Sequence, residues 1–313
     1  MEEVVLEVKD LKKSYKKNEV LKGVSFSVFK GQVFSLLGSN GAGKTTAVKI
    51  LATLLRPDYG KISVCGYDLV KEAHKVRECI SLTGQYASVD ENLTGHENIN
   101  LIGKLLRLQN IKAKSAELLE MFELTSAANR RVKTYSGGMR RKLDLAMSLL
   151  GEPKIIFLDE PTSGLDPQSR LSLWKTIQNL RAKGITIFLT TQYLDEAENL
   201  SDFVAVLNEG VIAASGTVEE MKKLLPSRIV EIGFLETESL EKAMKILKKY
   251  NPHRIADMQA ISINIDEGLN IITEVLNCLK TSKINVSRFE KKSASLQEVF
   301  LSLVKGGRTD EKN

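Results

Sequence analysis

The sequence predicts an α/β domain over residues 1 to about 222, followed by a small α+β domain over 227–305. Three observations carry that reading. Short apolar runs alternate with amphipathic stretches through the first two thirds of the chain, the pattern of strands and helices packed in layers. The strand candidates are 4–8, 33–37, 62–64, 155–158, 186–189 and 203–207, and several are continuously apolar, as strands covered on both faces must be. Between about 97 and 150 the pattern turns helical, with apolar residues at helical spacing in 101–108 and 116–122, which sets a helical subdomain inside the first domain. A break at Leu225-Pro226-Ser227 then opens a second alternation: strand 229–235, helix 240–249, strand 260–265, helix 269–279, strand 284–289 and helix 296–304. That order is compatible with a ferredoxin-like domain. The polar tail 306–313 is expected to be flexible.

Composition narrows the function classes. The chain has 313 residues, 42% of them hydrophobic and 27% charged, which fits a folded globular protein. No apolar run approaches the roughly 18 residues of a membrane span. The acidic start, Met1-Glu2-Glu3, lacks a basic-then-apolar leader, so the expected location is cytoplasmic. Cys65, Cys79 and Cys278 are an odd count without a CxxC pair, which argues against a disulfide framework and against a zinc site. The net charge of +6 is modest for this length, and the lysines are interleaved with glutamates. A solvated basic surface accounts for it, and no nucleic-acid partner is expected.

The chemistry is concentrated in Gly38-Ser39-Asn40-Gly41-Ala42-Gly43-Lys44-Thr45, a GxxxxGK[ST] loop between an apolar strand and a helical stretch that opens with Thr46. Glycines let the backbone wrap phosphate oxygens with inward N–H groups, and the helix N-terminus adds partial positive charge. Lys44 brings a point charge toward the β and γ phosphates of ATP, and the Thr45 hydroxyl can ligate Mg²⁺. A second apolar strand ends in Asp159-Glu160. Asp159 is placed to hold the metal, directly or through water, and Glu160 to polarise an attacking water. Between them, Ser136-Gly137-Gly138 opens another helix. Free N–H groups, a hydroxyl and the helix dipole make an anion site there, although a simple capped helix has the same look.

The order of phosphate loop, Gln85, Ser-Gly-Gly, Asp-Glu and Ser163-Gly164-Leu165-Asp166 resembles the ABC ATPases over residues 4 to about 222. The resemblance implies a P-loop domain with a mixed sheet core and a helical subdomain. It implies that two copies sandwich two ATP molecules head to tail, with Ser136, Gly137 and Gly138 contacting the γ-phosphate across the dimer. It further implies that Gln85 senses Mg²⁺ and the permease contact, that Asp166 links the two sites, and that Tyr15 stacks on adenine. Where most members carry a histidine, this chain has Gln192, in Thr190-Thr191-Gln192-Tyr193-Leu194, and its only histidines are His74, His96 and His253. Glutamine donates to phosphate but brings no charge, so the site either hydrolyses ATP with Gln192 as a neutral positioning group or turns over slowly as a binding-driven clamp.

The signature 135–144, the stretch 90–95, the segment around Gln192 and the closing motif 295–301 are similar to the daunorubicin-resistance type of exporter subunits. That likeness implies a motor subunit peripheral to the inner face of the cell membrane, driving a separate integral permease that docks near 86–106. Its substrates would be drug-like or lipophilic, and the small C-terminal domain regulatory or dimer-stabilising. The alternative is a soluble ABC ATPase switching on DNA or the ribosome. Only 92 positions separate Lys44 from Ser136, too few for the long coiled coils of the DNA-repair branch, and the chain has one cassette rather than two.

Overall fold

Apolar alternation and strand pairing organise the chain into two units, Met1–Val218 and Glu219–Asn313. The computed structural model describes residues 3–225, 229–255, 258–264, 269–292 and 294–306. The first unit begins with β1 (Val4–Tyr15), β2 (Asn18–Phe29), β3 (Val33–Leu37), α1 (Lys44–Leu51), β4 (Tyr59–Val64), β5 (Tyr67–Asp68), α2 (Ala73–Cys79) and β6 (Ile80–Thr83). It continues with α3 (Gly95–Leu105), α4 (Ile111–Met121), α5 (Gly137–Ser148), β7 (Ile155–Asp159), α6 (Pro167–Ala182), β8 (Thr186–Thr191), α7 (Leu194–Leu200), β9 (Phe203–Asn208) and β10 (Val211–Gly216).

A six-stranded sheet in the order β10-β9-β3-β8-β7-β6 forms the centre. Its inner strands run parallel, and only the β9–β10 pair is antiparallel. Every residue of β3, β7 and β8 is buried, which explains why these strands are mainly apolar without alternation. Alternate side chains serve two cores. Val33, Ile156, Leu158, Ile187 and Leu189 join the helices α3 to α6 in one cluster. Phe34, Leu36, Ile155, Phe157 and Phe188 face a second cluster built with the antiparallel sheet β2-β1-β4-β5. Phe26 of β2 stacks on Phe34 at 5.0 Å, and Phe34 on Phe188 at 5.3 Å, so aromatic rings join the two sheets.

β2, β5, β6 and β10 were not among the sequence-predicted strands, and β1 runs on to Tyr15 rather than stopping at Val8. The reason is local. β2 buries Leu21, Val24, Phe26 and Val28, but Lys22-Gly23 interrupt its alternation, so no strict period of two runs through it. Along α3, a capping box fixes the start of the helical subdomain: Thr94 accepts from Glu97 N–H, and the Glu97 carboxylate accepts from Thr94 N–H.

α8 (Val218–Lys223) precedes the second sheet, whose unit contains β11 (Ile229–Phe234), α9 (Thr237–Ile246), β12 (His253–Arg254), β13 (Ala260–Asn264), α10 (Leu269–Thr281), β14 (Val286–Lys292) and α11 (Leu296–Gly306). The strand order is β12-β13-β11-β14, antiparallel throughout. With α9 and α10 supplying Leu240, Ala243, Val275 and Leu279 against Val230, Ile232 and Phe234, this is the β-α-β-β-α-β arrangement of ferredoxin-like domains. The two-residue β12 is too short to leave a periodic signal in the sequence. Pro226 and Ser227 of the predicted break, and all but the first residue of the predicted tail, lie outside the described residues.

Candidate nucleotide site

The site forms at the C-terminal ends of parallel strands, where open α/β sheets place ligands. β3 runs into the loop Gly38–Gly43, which turns into α1 at Gly43 with φ of +109°, a conformation only glycine adopts freely. A Cβ at Gly43 would also stand 2.8 Å from Leu21 Cδ2, so the loop lies tight against β2. The Gly38 N–H donates to the Thr191 carbonyl at 3.1 Å, which ties the loop to the end of β8. Beside the loop is a cleft of about 250 Å³ lined by Val20, Asn40, Gly41, Gly43, Lys44, Thr45, Thr46 and Glu160. Ser39 and Ala42 complete the loop, and the Ser39 carbonyl accepts from the Ala42 N–H at 3.2 Å.

Lys44 is only 4% exposed. Its ammonium donates to the carbonyls of Gly38 at 2.9 Å and Ser39 at 3.1 Å, and lies 3.3 Å from Glu160 Oε1. β8 separates β3 from β7, so Lys44 and Thr45 reach across one strand to meet the carboxylates. The Thr45 hydroxyl donates to Asp159 Oδ1 at 3.3 Å, and the same oxygen accepts from Thr190 Oγ1 at 2.6 Å. Glu160 has φ of +48° and its N–H donates to both Thr190 O and Thr190 Oγ1 at 3.1 Å. A non-glycine residue in the left-handed region is held there by its surroundings, and such residues recur at functional sites. Gln85 Nε2 donates to Glu160 Oε2 at 3.5 Å. Thus Lys44, Thr45 and Glu160 line the cleft, and Asp159 and Gln85 are joined to it through their contacts with Thr45 and Glu160.

Asp159, the Thr45 hydroxyl and the Gln85 carbonyl are hard oxygen donors. Mg²⁺ is bound in just this manner, through one or two carboxylates with phosphates and waters completing the shell. The donor set therefore fits the metal. Among the described residues no group of three or more His, Cys, Asp or Glu side chains could hold a metal unaided.

Other predicted residues stand elsewhere on this chain. Ser136 caps α5, accepting from Met139 N–H at 3.2 Å, and is exposed. Gly137 follows it, and Gly138 packs so closely on α6 that a Cβ there would be 2.7 Å from Ser169 Oγ. Asp166 caps α6; hydrogen bonds from Ser169, side chain and N–H, hold its exposed carboxyl below the usual carboxylate range. None of Ser136, Gly137, Gly138 and Asp166 lines the cleft beside Lys44. Tyr15 ends β1, is 47% exposed and has the Lys13 ammonium 5.9 Å from its ring centre. Gln192 sits half-buried directly after β8. Four residues on, Glu196 is fully buried and accepts from Trp174 Nε1 at 3.3 Å, anchoring the helix that follows Gln192.

Sequence reasoning missed Thr190, the residue that holds both Asp159 and the Glu160 N–H. Its signal was a pair of hydroxyl residues closing an apolar strand, and Thr190 is wholly buried. It also missed Arg141 and Asp144 of α5, two charged side chains buried in a helix whose middle is almost entirely covered.

A phosphate loop, a strand-end carboxylate pair and a separate serine-capped helix on a sheet of this order define an ATP-binding cassette. Comparisons with known proteins agree. The ABC transporter family model matches residues 21–163, and the model of the ATP-binding protein DrrA1-3-like C-terminal domain matches 216–304. The chain is 42% identical to the daunorubicin/doxorubicin resistance ATP-binding protein DrrA of Streptomyces peucetius over 306 residues, covering 95% of this chain and 92% of that protein. It is 33% identical to the linearmycin resistance ATP-binding protein LnrL of Bacillus subtilis, covering 97% and 99%. A solved ATP-binding subunit of an ABC transporter superposes with a TM-score of 0.63 at 32% identity, covering 70% of this chain and 92% of that one. The chain belongs to the ABC transporter ATP-binding proteins of the daunorubicin-resistance, DrrA-like type. It is an ATP hydrolase of the ABC class.

Proposed function

We propose that this protein is the motor subunit of an exporter for drug-like or lipophilic compounds, working from the inner face of the membrane on a separate permease. Two copies bind Mg-ATP and close head to tail, with Ser136, Gly137 and Gly138 of one copy completing the phosphate cleft of the other. Lys44 binds the β and γ phosphates, Asp159 with Thr45 and Gln85 holds Mg²⁺, and Asp166 links the two sites. Mg²⁺, when bound, neutralises charge developing on the phosphates. Glu160 polarises the attacking water, Gln192 positions the γ-phosphate as a neutral donor, and Tyr15 packs on adenine. The C-terminal domain serves a dimer-stabilising or regulatory role.

The observation that carries this reading is the single carboxylate of Glu160. It lies 3.3 Å from the Lys44 ammonium and 3.5 Å from the Gln85 amide, and borders the cleft. A carboxylate beside a phosphate-binding lysine is where a general base for hydrolysis belongs. The permease contact is supported by the exposed apolar residues Tyr86, Leu101, Leu105 and Leu106. No helix among the described residues is long and apolar enough to cross a membrane, so the reading requires a second subunit. The names of the relatives, resistance ATP-binding proteins, support the substrate class. The test is a tagged pull-down of this chain from detergent-solubilised membranes of its native host. A stoichiometric multi-span protein is the expected companion. Recovery of ribosomes, DNA or the bare chain would overturn the exporter reading.

A further inference from the structure

α5 carries two consecutive arginines just inside the Ser136 cap, and they turn to different partners. Arg140 bonds Glu91 at 2.7 Å and donates from Nε and Nη2 to the Tyr135 carbonyl at 3.2 and 3.1 Å. Arg141 is 4% exposed and spreads its guanidinium over four backbone carbonyls from two distant segments. Nε donates to Pro161 O at 2.8 Å and Nη1 to Gly84 O at 2.6 Å, while Nη2 donates to Gln85 O at 3.1 Å and Glu160 O at 3.4 Å.

One planar, rigid fork thus holds the main chain of Gln85 and of Glu160 together, and their side chains meet at 3.5 Å. Asp144, one turn along the helix and 5% exposed, lies 3.6 Å from Nη1 and accepts from the Ser88 N–H at 3.2 Å. It faces the guanidinium at ion-pair distance and, through Ser88, ties down the segment following Gln85. Simple packing would not need a buried cation with four aimed donors; burying a charge is costly unless each donor is matched.

We propose that Arg141 is a positioning residue for ATP hydrolysis, oriented by Asp144, that locks the backbones of Gln85 and Glu160 to the helix bearing Ser136, Gly137 and Gly138. Any shift of that helix is thereby passed to the water-polarising carboxylate and to the Gln85 segment together. The inference rests on the roles given above to Glu160 and Gln85.

The test compares full-length wild type with Arg141→Lys and Asp144→Asn. Single-turnover hydrolysis at saturating Mg-ATP, ATP affinity and thermal stability are measured on each. Lysine keeps the charge but cannot span both segments, so its rate is expected to fall about ten- to hundredfold, the effect of misplacing a reacting group by roughly 1 Å. ATP affinity should change by less than about threefold. Asp144→Asn should lose about three- to tenfold in rate with the same split, and carries the test if the lysine variant does not fold. A purely structural role would lower the melting temperature but leave the rate per folded molecule unchanged, and that result overturns the proposal. A wild type that binds ATP without hydrolysing it would instead overturn the reading of Glu160.

Discussion

Asp144 gives a sharp test of the electrostatics of the signature helix. Burial pushes its carboxyl from the ordinary 3.8 up to about 6, with the Ser88 N–H and the Arg141 guanidinium pulling the other way. An acid whose folded pKa lies above its unfolded value binds its proton more tightly in the folded chain. Its protonation therefore favours folding fully below about pH 4, and that contribution is lost as pH rises through 6. At about 1.4 kcal/mol per unit, the shift amounts to roughly 3 kcal/mol once both states are ionised, and about 2 kcal/mol of it develops between pH 4.5 and 7.5.

Asp144→Asn keeps the shape and removes the titration. It also breaks the ion pair with Arg141, whose effect is largest where Asp144 is charged and is already contained in the folded pKa. The stability of wild type relative to the variant should therefore fall by about 2 kcal/mol from pH 4.5 to pH 7.5, whatever the offset between them. The assay is urea unfolding at several pH values followed by fluorescence of Trp174, the chain's single tryptophan, which is buried in the same unit as Asp144. Two stability curves running parallel across that range would refute the argument, because they would mean Asp144 has the same proton affinity folded and unfolded. A gap that widens in the opposite direction would show the Arg141 pairing to outweigh burial.

Two further outcomes follow from the cleft. Glu160→Gln preserves the hydrogen bonding but deletes the base, so single-turnover hydrolysis should drop by about two to four decades with ATP still bound; near-normal turnover would remove Glu160 from that role. Gln192→Ala should slow turnover more than it weakens ATP binding, and single-turnover rates equal to the parent would reject Gln192 as a positioning group.

What could be read from the sequence follows the range over which each feature is encoded. The phosphate loop is a run of contiguous residues whose chemistry is complete within eight positions, and β3, β7 and β8 announce themselves because both of their faces are buried. β2 escaped because Lys22-Gly23 interrupt its alternation, and β12 because two residues have no period. The same limit governs the site. Lys44 and Glu160 were identifiable separately, but their 3.3 Å approach exists only because β8 intervenes between β3 and β7 at the right width.

Arg141 lies within the signature stretch, where its neighbours in sequence say nothing of its role. Its acceptors are 57 and 56 positions upstream and 19 and 20 downstream, and no local pattern encodes that convergence. A buried arginine must still find acceptors for its donors. In a helix as covered as α5, an arginine is therefore itself a sign that backbone from elsewhere comes to meet it. Two of the four residues that do so here, Gln85 and Glu160, are ones on which hydrolysis is proposed to depend, and the other two, Gly84 and Pro161, are their chain neighbours, so the buried charge holds the site from behind.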